Sequence, residues 1–367
     1  MTHPPPRGGE GHSSSRLHDN GGMAAGLAKL LRAHPAYARV LGALKAGMGA
    51  KAAGLWGSSQ GLFLAALVEE GFGPFLAITA GREEGESLAS DARLFGCAGA
   101  AILPEPEEDA SRSPEWMRLL GRLLGGDFPP VLVAPLASLC QALPVPGALE
   151  ARVLSIETGD ERPPAEVAAI LSAAGLLRVP VVSAPCEFAV RGGVLDFFPA
   201  GSETPFRLDY LGDEIETIAE FDPETQASAG RRERIDVLLG GGERVGGGAT
   251  LLDYAFAGGE SCKIKYVPYF VEPEEIGNRA EGRAGAAEIL AALAERPGVS
   301  IRALAAPDSD AADFGVRSLT RFEGSLVEVA SILRDLSARV PRIVLFAHNE
   351  GEEARIRGIL ADAIPPE

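Results

Sequence analysis

The run Gly57-Ser58-Ser59-Gln60-Gly61 is the first place in this chain where residue type and spacing suggest chemistry. It follows an apolar run, Ala53 to Trp56, that reads as a buried strand, and precedes the helical pattern Leu62 to Glu70. Strand, glycine-bounded loop and helix in that order are the setting of a phosphate-binding loop, whose backbone amides meet an anion at the helix start. Hydrolysis needs more: a Lys after the last Gly to reach the β and γ phosphates, and a neighbouring Ser or Thr to hold Mg²⁺. Leu62 and Phe63 stand in those places. A second carboxylate for the metal should end another strand, yet the strand Val131 to Ala134 ends in Pro135. The loop keeps a shape without its chemistry, and a nucleotide-hydrolysing enzyme with an atypical loop is the alternative reading.

No other group completes a catalytic site. Asp213, Glu214 and Glu216 form an acidic cluster on a turn and strand, but exposed turn carboxylates are ordinarily solvated, and no His, Cys or Ser is placed beside them. His3, His12 and His18 fall in the amino-terminal tail, His34 in a helix and His348 at a strand end, so spacing assembles no nucleophile and base. Cys97, Cys140, Cys186 and Cys262 lie far apart without a CxxC pair and read as small apolar residues in a reducing compartment. No catalytic residue, cofactor or metal is expected.

Arg191 carries more information. It ends a strand before Gly192-Gly193, a turn that would hold its guanidinium at a sheet margin, where arginine can grip a partner's carboxylate in two-point fashion. An internal ion pair with Asp196, Asp209 or Glu187 explains the same placement, and the residues leave both readings open. Arg178, Phe188 and Arg207 join Arg191 as the candidate partner-binding set.

These groups must be positioned by their surrounding elements. After a Pro-, Gly-, Ser- and His-rich tail to Gly22, apolar residues from Leu27 to Leu44 recur at helical spacing, with Pro35 dividing the helix. From Ala52 to Ala134, strand runs at Ala53 to Trp56, Phe75 to Thr79, Ala100 to Leu103 and Val131 to Ala134 alternate with helical stretches, which implies a covered parallel sheet. Leu136 to Leu177 reads as mostly helical, with a helix over Pro164 to Ala174. The period then switches to two, predicting four short antiparallel strands through Phe188, Val194, Phe206 and Ile215. Gly240 to Gly242 and Gly246 to Gly248 read as a flexible loop, followed by a helix over Ala284 to Ala294 and a strand over Val299 to Leu304. A last unit reads as helix Leu326 to Arg339, strand Arg342 to Ala347 and helix Glu350 to Ala361, a domain cut short.

Composition sets outer bounds. The chain has 367 residues, 46% hydrophobic and 23% charged, enough for several cores. The tail lacks the apolar stretch of a signal peptide, and no apolar run approaches the ~20 residues that span a bilayer, so a cytoplasmic protein without a membrane partner is expected. The formal net charge of −17 argues against an extended grip on nucleic acid, which needs clustered Lys and Arg.

Over Cys186-Glu-Phe-Ala-Val-Arg-Gly-Gly-Val-Leu-Asp-Phe-Phe-Pro-Ala-Gly-Ser-Glu, then Phe206-Arg-Leu-Asp-Tyr-Leu-Gly-Asp-Glu-Ile-Glu and Phe221-Asp-Pro-Glu-Thr-Gln, the chain resembles the bacterial transcription-repair coupling factors (Mfd). A shorter form of the motif marks the excision-repair helicase UvrB. The resemblance implies an α/β fold: a degenerate P-loop, UvrB-like parallel-sheet domain with an inserted α+β antiparallel-sheet interaction domain that docks on UvrA. It implies a tail at 1–22, a first half at 23–136, the interaction domain at 137–236, a second half at 237–314 and the start of a small following domain at 315–367. It assigns UvrA contact to Arg191 and, upstream, to Arg178, while Ala189 replaces an arginine that UvrB carries. In that family RNA polymerase and DNA are engaged by further domains, including an ATP-driven motor, so this chain reads as a fragment or a truncated product.

Overall fold

The computed structural model describes residues 27–239, 247–255, 266–305 and 310–316, with isolated helical positions between 331 and 358. One compact unit ends at Val316 and a second covers Arg317–Glu367. In the second unit residues 333–336 are helical, and most of the helix–strand–helix pattern expected there lies outside the described residues.

The first unit opens with α1 (Pro35–Lys45), whose proline sits where a missing N–H costs nothing; His34 caps it by accepting the Ala36 N–H on Nδ1. Strands and helices then alternate: β1 (Ala50–Ala53), α2 (Ser58–Glu69), β2 (Phe75–Thr79), α3 (Arg82–Leu94), β3 (Ala101–Ile102), α4 (Pro114–Leu124), β4 (Val131–Pro135) and α5 (Leu136–Leu139). A second group follows: β5 (Leu143–Pro144), α6 (Pro146–Glu150), β6 (Val153–Glu157), α7 (Pro164–Ala173), β7 (Leu177–Arg178), β8 (Glu187–Arg191), β9 (Val194–Phe198), β10 (Phe206–Leu211), β11 (Glu214–Phe221), β12 (Ser228–Arg232) and β13 (Arg234–Leu238). The chain then returns through β14 (Gly247–Ala249), α8 (Leu251–Ala255), β15 (Val267–Val271), α9 (Pro273–Ala280), α10 (Ala286–Ala294), β16 (Val299–Arg302) and β17 (Ala312–Asp313).

The two groups make different sheets. Seven strands pair in the order β17-β1-β16-β15-β2-β4-β3, every pairing parallel. Strands from before and after the middle group interleave in it, so the middle group is an insertion into one sheet. β2 and β4 are buried along their whole length, as a sheet covered on both faces requires. Phe75 and Ala77 enter one core with Tyr37, Phe63 and Leu88, whereas their neighbours Leu76 and Ile78 enter another with Trp116, Leu120 and Leu293.

The insertion holds a six-stranded sheet in the order β12-β11-β10-β9-β8-β7, antiparallel except for the β7–β8 pair, and a two-stranded sheet of β6 and β13. Phe188, Leu195, Phe197, Leu208 and Ile218 from the large sheet meet Val167 and Leu171 of α7 and Ile156 and Val237 of the small one.

Several expectations need correction. The first strand ends at Ala53 rather than beginning there, and α2 starts at Ser58. The stretch expected to be mostly helical contains β6, whose burial alternates strictly because one face lies on the core. Gly247 and Gly248 are not loop: with Ala249 they form β14, paired with β5, and Ala249 is buried. The antiparallel sheet is wider than the four strands expected, gaining β7 and β12 at its margins.

Candidate partner-binding face

The large inserted sheet has one face on α7 and another with a different lining. Alternation along the strands sends Ala189 and Arg191, then Asp196 and Phe198, then Arg207 and Asp209 to that second face. Segment 179–185 lies over part of it: Val182 is buried against Ala189, Phe198 and Phe221. The segment is pinned by the Ser183 and Ala184 N–H groups, both donating to the Glu187 carboxylate, and by Gln226 Nε2 donating to the Val182 carbonyl.

Asp196 is 0% exposed at the centre of this face. A buried carboxylate survives only with strong partners, and it has two. Arg207, directly opposite on β10, donates Nε to Oδ1 at 2.7 Å and Nη2 to Oδ2 at 3.0 Å. Arg191 reaches diagonally along β8 to donate Nη2 to Oδ2 at 2.5 Å. Of the three internal partners considered for Arg191, Asp196 is the one used; Glu187 holds the covering segment, and Asp209 accepts from the Thr217 hydroxyl at 2.7 Å.

The two arginines end in different states. Arg207 is 16% exposed, stacks 4.7 Å from the centre of the Phe221 ring, and donates further to the Gln226 carbonyl. Its hydrogen bond to Asp196 raises its pKa above the ordinary value. Arg191 stays 46% exposed and is held through one nitrogen, leaving the rest of its guanidinium for an outside acceptor. The turn that holds it needs glycine, since Gly192 has φ +59°, in the left-handed region.

The remaining candidates separate. Phe188 is 1% exposed and belongs to the core beneath the sheet, so burial removes it from the groups a partner could touch. Arg178 is exposed on the short edge strand β7, paired in register with Phe188. That register places it on the Phe188 side, opposite the Arg191 face. The structure therefore brings Arg191 and Arg207 together on Asp196 and leaves Arg178 at the margin.

The loop between β1 and α2 borders a separate cleft of about 700 Å³, lined by Gly57, Ser58 and the carboxylates Glu83, Glu84, Glu86, Asp91 and Glu272. Among the described residues no Lys or Arg lines it. Phe63 is fully buried, edge-on to Tyr37 and Phe314. A Cβ on Gly61 would lie 2.4 Å from Asp91 Cβ and 3.0 Å from the Ala92 backbone nitrogen, so this glycine serves the close approach of α2 to α3. Burial raises the pKa of Asp91 and of Glu272. Glu272 is a carboxylate that the sequence reading missed; it directly follows β15, beyond Pro268, and accepts the Ala303 N–H. Negative lining of this kind repels a polyphosphate.

The antiparallel sheet, its helix and the ladder that closes on β13 form one unit in sequence. Residues 154–239 match the UvrB interaction domain family. The chain is 31% identical over 185 residues to the transcription-repair-coupling factor of Bacillus subtilis (strain 168), covering 48% of this chain and 16% of that protein. It is 36% identical over 187 residues to that of Mycobacterium tuberculosis (strain CDC 1551 / Oshkosh), covering 47% and 15%, and 40% identical over 108 residues to that of Haemophilus influenzae, covering 29% and 9%. The chain is thus related to transcription-repair coupling factors over about half its length and spans under a fifth of theirs. The mixed architecture, a parallel sheet with an inserted interaction domain, agrees with that relationship. Among the described residues no helix is long and apolar enough to cross a membrane.

Proposed function

We propose that this chain is the UvrA-recruiting module of a transcription-repair coupling factor, acting in transcription-coupled nucleotide excision repair. The observation that carries the reading is the interaction-domain match together with an exposed arginine held in place on its outer face by a buried carboxylate. Arg191 is the principal contact and Arg178 an edge contact; Arg207 acts from beneath by fixing Asp196. Phe188 serves the core.

The cleft beside Gly57 is scaffold and turns over no nucleotide. Its acidic lining, buried Phe63 and packing Gly61 support that reading, because each removes a component that phosphoryl transfer uses. Contacts to RNA polymerase and DNA, and ATP-driven translocation, belong in this reading to domains outside the chain. Calorimetric titration with purified UvrA tests it: binding that weakens on Arg191→Ala is expected, and no binding by the unaltered chain contradicts it.

A further inference from the structure

The register draws a straight row across the outer face of the interaction domain: Ala189, Asp196, Arg207, Ala219 and Arg231, on β8 to β12 in turn. Directly paired residues of neighbouring strands point to the same side, so Arg231 shares the face of Arg191. At ~4.8 Å per strand and ~3.4 Å per residue, the backbones of Arg191, two residues along β8 from Ala189, and Arg231 stand about 20 Å apart, on opposite flanks of the Asp196–Arg207 pair.

Arg231 differs from its neighbours in sequence. Arg232 points to the other side, opposite Ile218, and donates to Glu220 at 2.7 Å. Arg234 donates to Asp236 at 3.0 Å. Arg231 is exposed, and among the described residues its side chain has neither hydrogen bond nor ion pair.

Three anionic groups at the middle of this face are already engaged, and the exposed Glu214, paired with Leu211, stands at its β10–β11 turn end. Asp196 is held by two arginines, Glu187 by the amides of segment 179–185, and Asp209 by Thr217. Away from that turn the face offers two cations, Arg191 and Arg231, on a chain whose formal net charge is −17. A cationic pair at that spacing fits an acidic protein surface, since complementary charge orients docking and suppresses wrong partners.

We propose that Arg231 is a second cationic anchor of the docking face, meeting a carboxylate of the partner protein. The proposal rests on the reading that this face docks UvrA. The test is titration of purified UvrA with the full chain and its Arg231→Ala, Arg231→Glu and Arg232→Ala variants at 0.1 M and about 0.3 M salt. Arg231→Ala is expected to weaken binding about three- to tenfold and Arg231→Glu further, with a smaller difference at high salt, while Arg232→Ala binds as the unaltered chain does. Unaltered affinity of Arg231→Glu, with Arg191→Ala weakened, overturns this proposal and leaves the docking reading intact. So does a loss confined to duplex DNA binding. Failure of the unaltered chain to bind UvrA removes both.

Discussion

Arg207 and Asp196 face each other on adjacent strands and close a two-point ion pair in which the carboxylate is fully buried. Arg191 completes the group from outside. A carboxylate between two guanidiniums leaves a net positive charge, and the half-exposed arginine is the one that can present it.

That division of burial predicts unequal stability effects. Asp196→Ala leaves two arginines facing an apolar floor and is expected to cost about 3 kcal/mol or more, the scale for removing one partner of a buried pair. Arg191→Ala removes a half-exposed partner and is expected to cost about 1 kcal/mol or less. Urea unfolding followed by circular dichroism checks the order, and equal costs would show that Arg191 and Arg207 share the load.

Gly61 is expected to behave as a packing residue. Gly61→Ala forces its Cβ against Asp91 and the α3 backbone, and should lower stability by about 1–3 kcal/mol in thermal unfolding, with no nucleotide present. A Gly61→Ala chain as stable as the parent would mean that α2 and α3 can separate at no cost.

The unaltered chain should show no ATP turnover above background in a phosphate-release assay. Leu62→Lys with Phe63→Ser should not create any, because Phe63 fills the core beside Tyr37 and Phe314, and the cleft remains acidic. The double variant should instead unfold more readily, by about 3 kcal/mol, from the lost Phe63 alone. Turnover in either chain that disappears on changing Gly57 would contradict the scaffold role.

Asp222 provides a pH test. Its carboxylate accepts the Thr225 and Glu224 N–H groups, which hold its pKa below the ordinary carboxylate value. A folded pKa below the unfolded one contributes stability that is present above the unfolded value, near 4, and is lost as pH falls through the lowered folded value. The stability gap between the parent and Asp222→Ala should be constant above about pH 5 and shrink below about pH 4. A gap that widens in acid would reverse the assignment.

Much of the fold was legible because buried strands and amphipathic helices write different periods. Phe75 to Thr79 and Val131 to Ala134 are nearly continuous apolar runs and became interior strands β2 and β4, and the period of two after Cys186 became β8 to β11. β15 was hidden by Pro268, which lacks an N–H and reads as a strand breaker, yet it lies beside β2 in the sheet. β6 was hidden by its shortness beside helical sequence, although Leu154 and Ile156 alternate correctly. In the site, Arg191 and its turn could be read from sequence, as could Asp196 as one of three possible partners. That Phe188 faces inward while Arg231 faces outward depends on strand register, which no local pattern around either residue specifies.

The central claim is that the interaction domain docks UvrA through Arg191 on its outer face, with Arg178 at the sheet margin as an edge contact. The most direct measurement is a calorimetric titration of UvrA with the unaltered chain and with Arg191→Ala combined with Arg178→Ala, both first shown to be folded. A loss of ~2 kcal/mol or more in binding free energy on removing the two arginines is the predicted result. Equal affinity of the two chains, or no binding by either, would contradict the account.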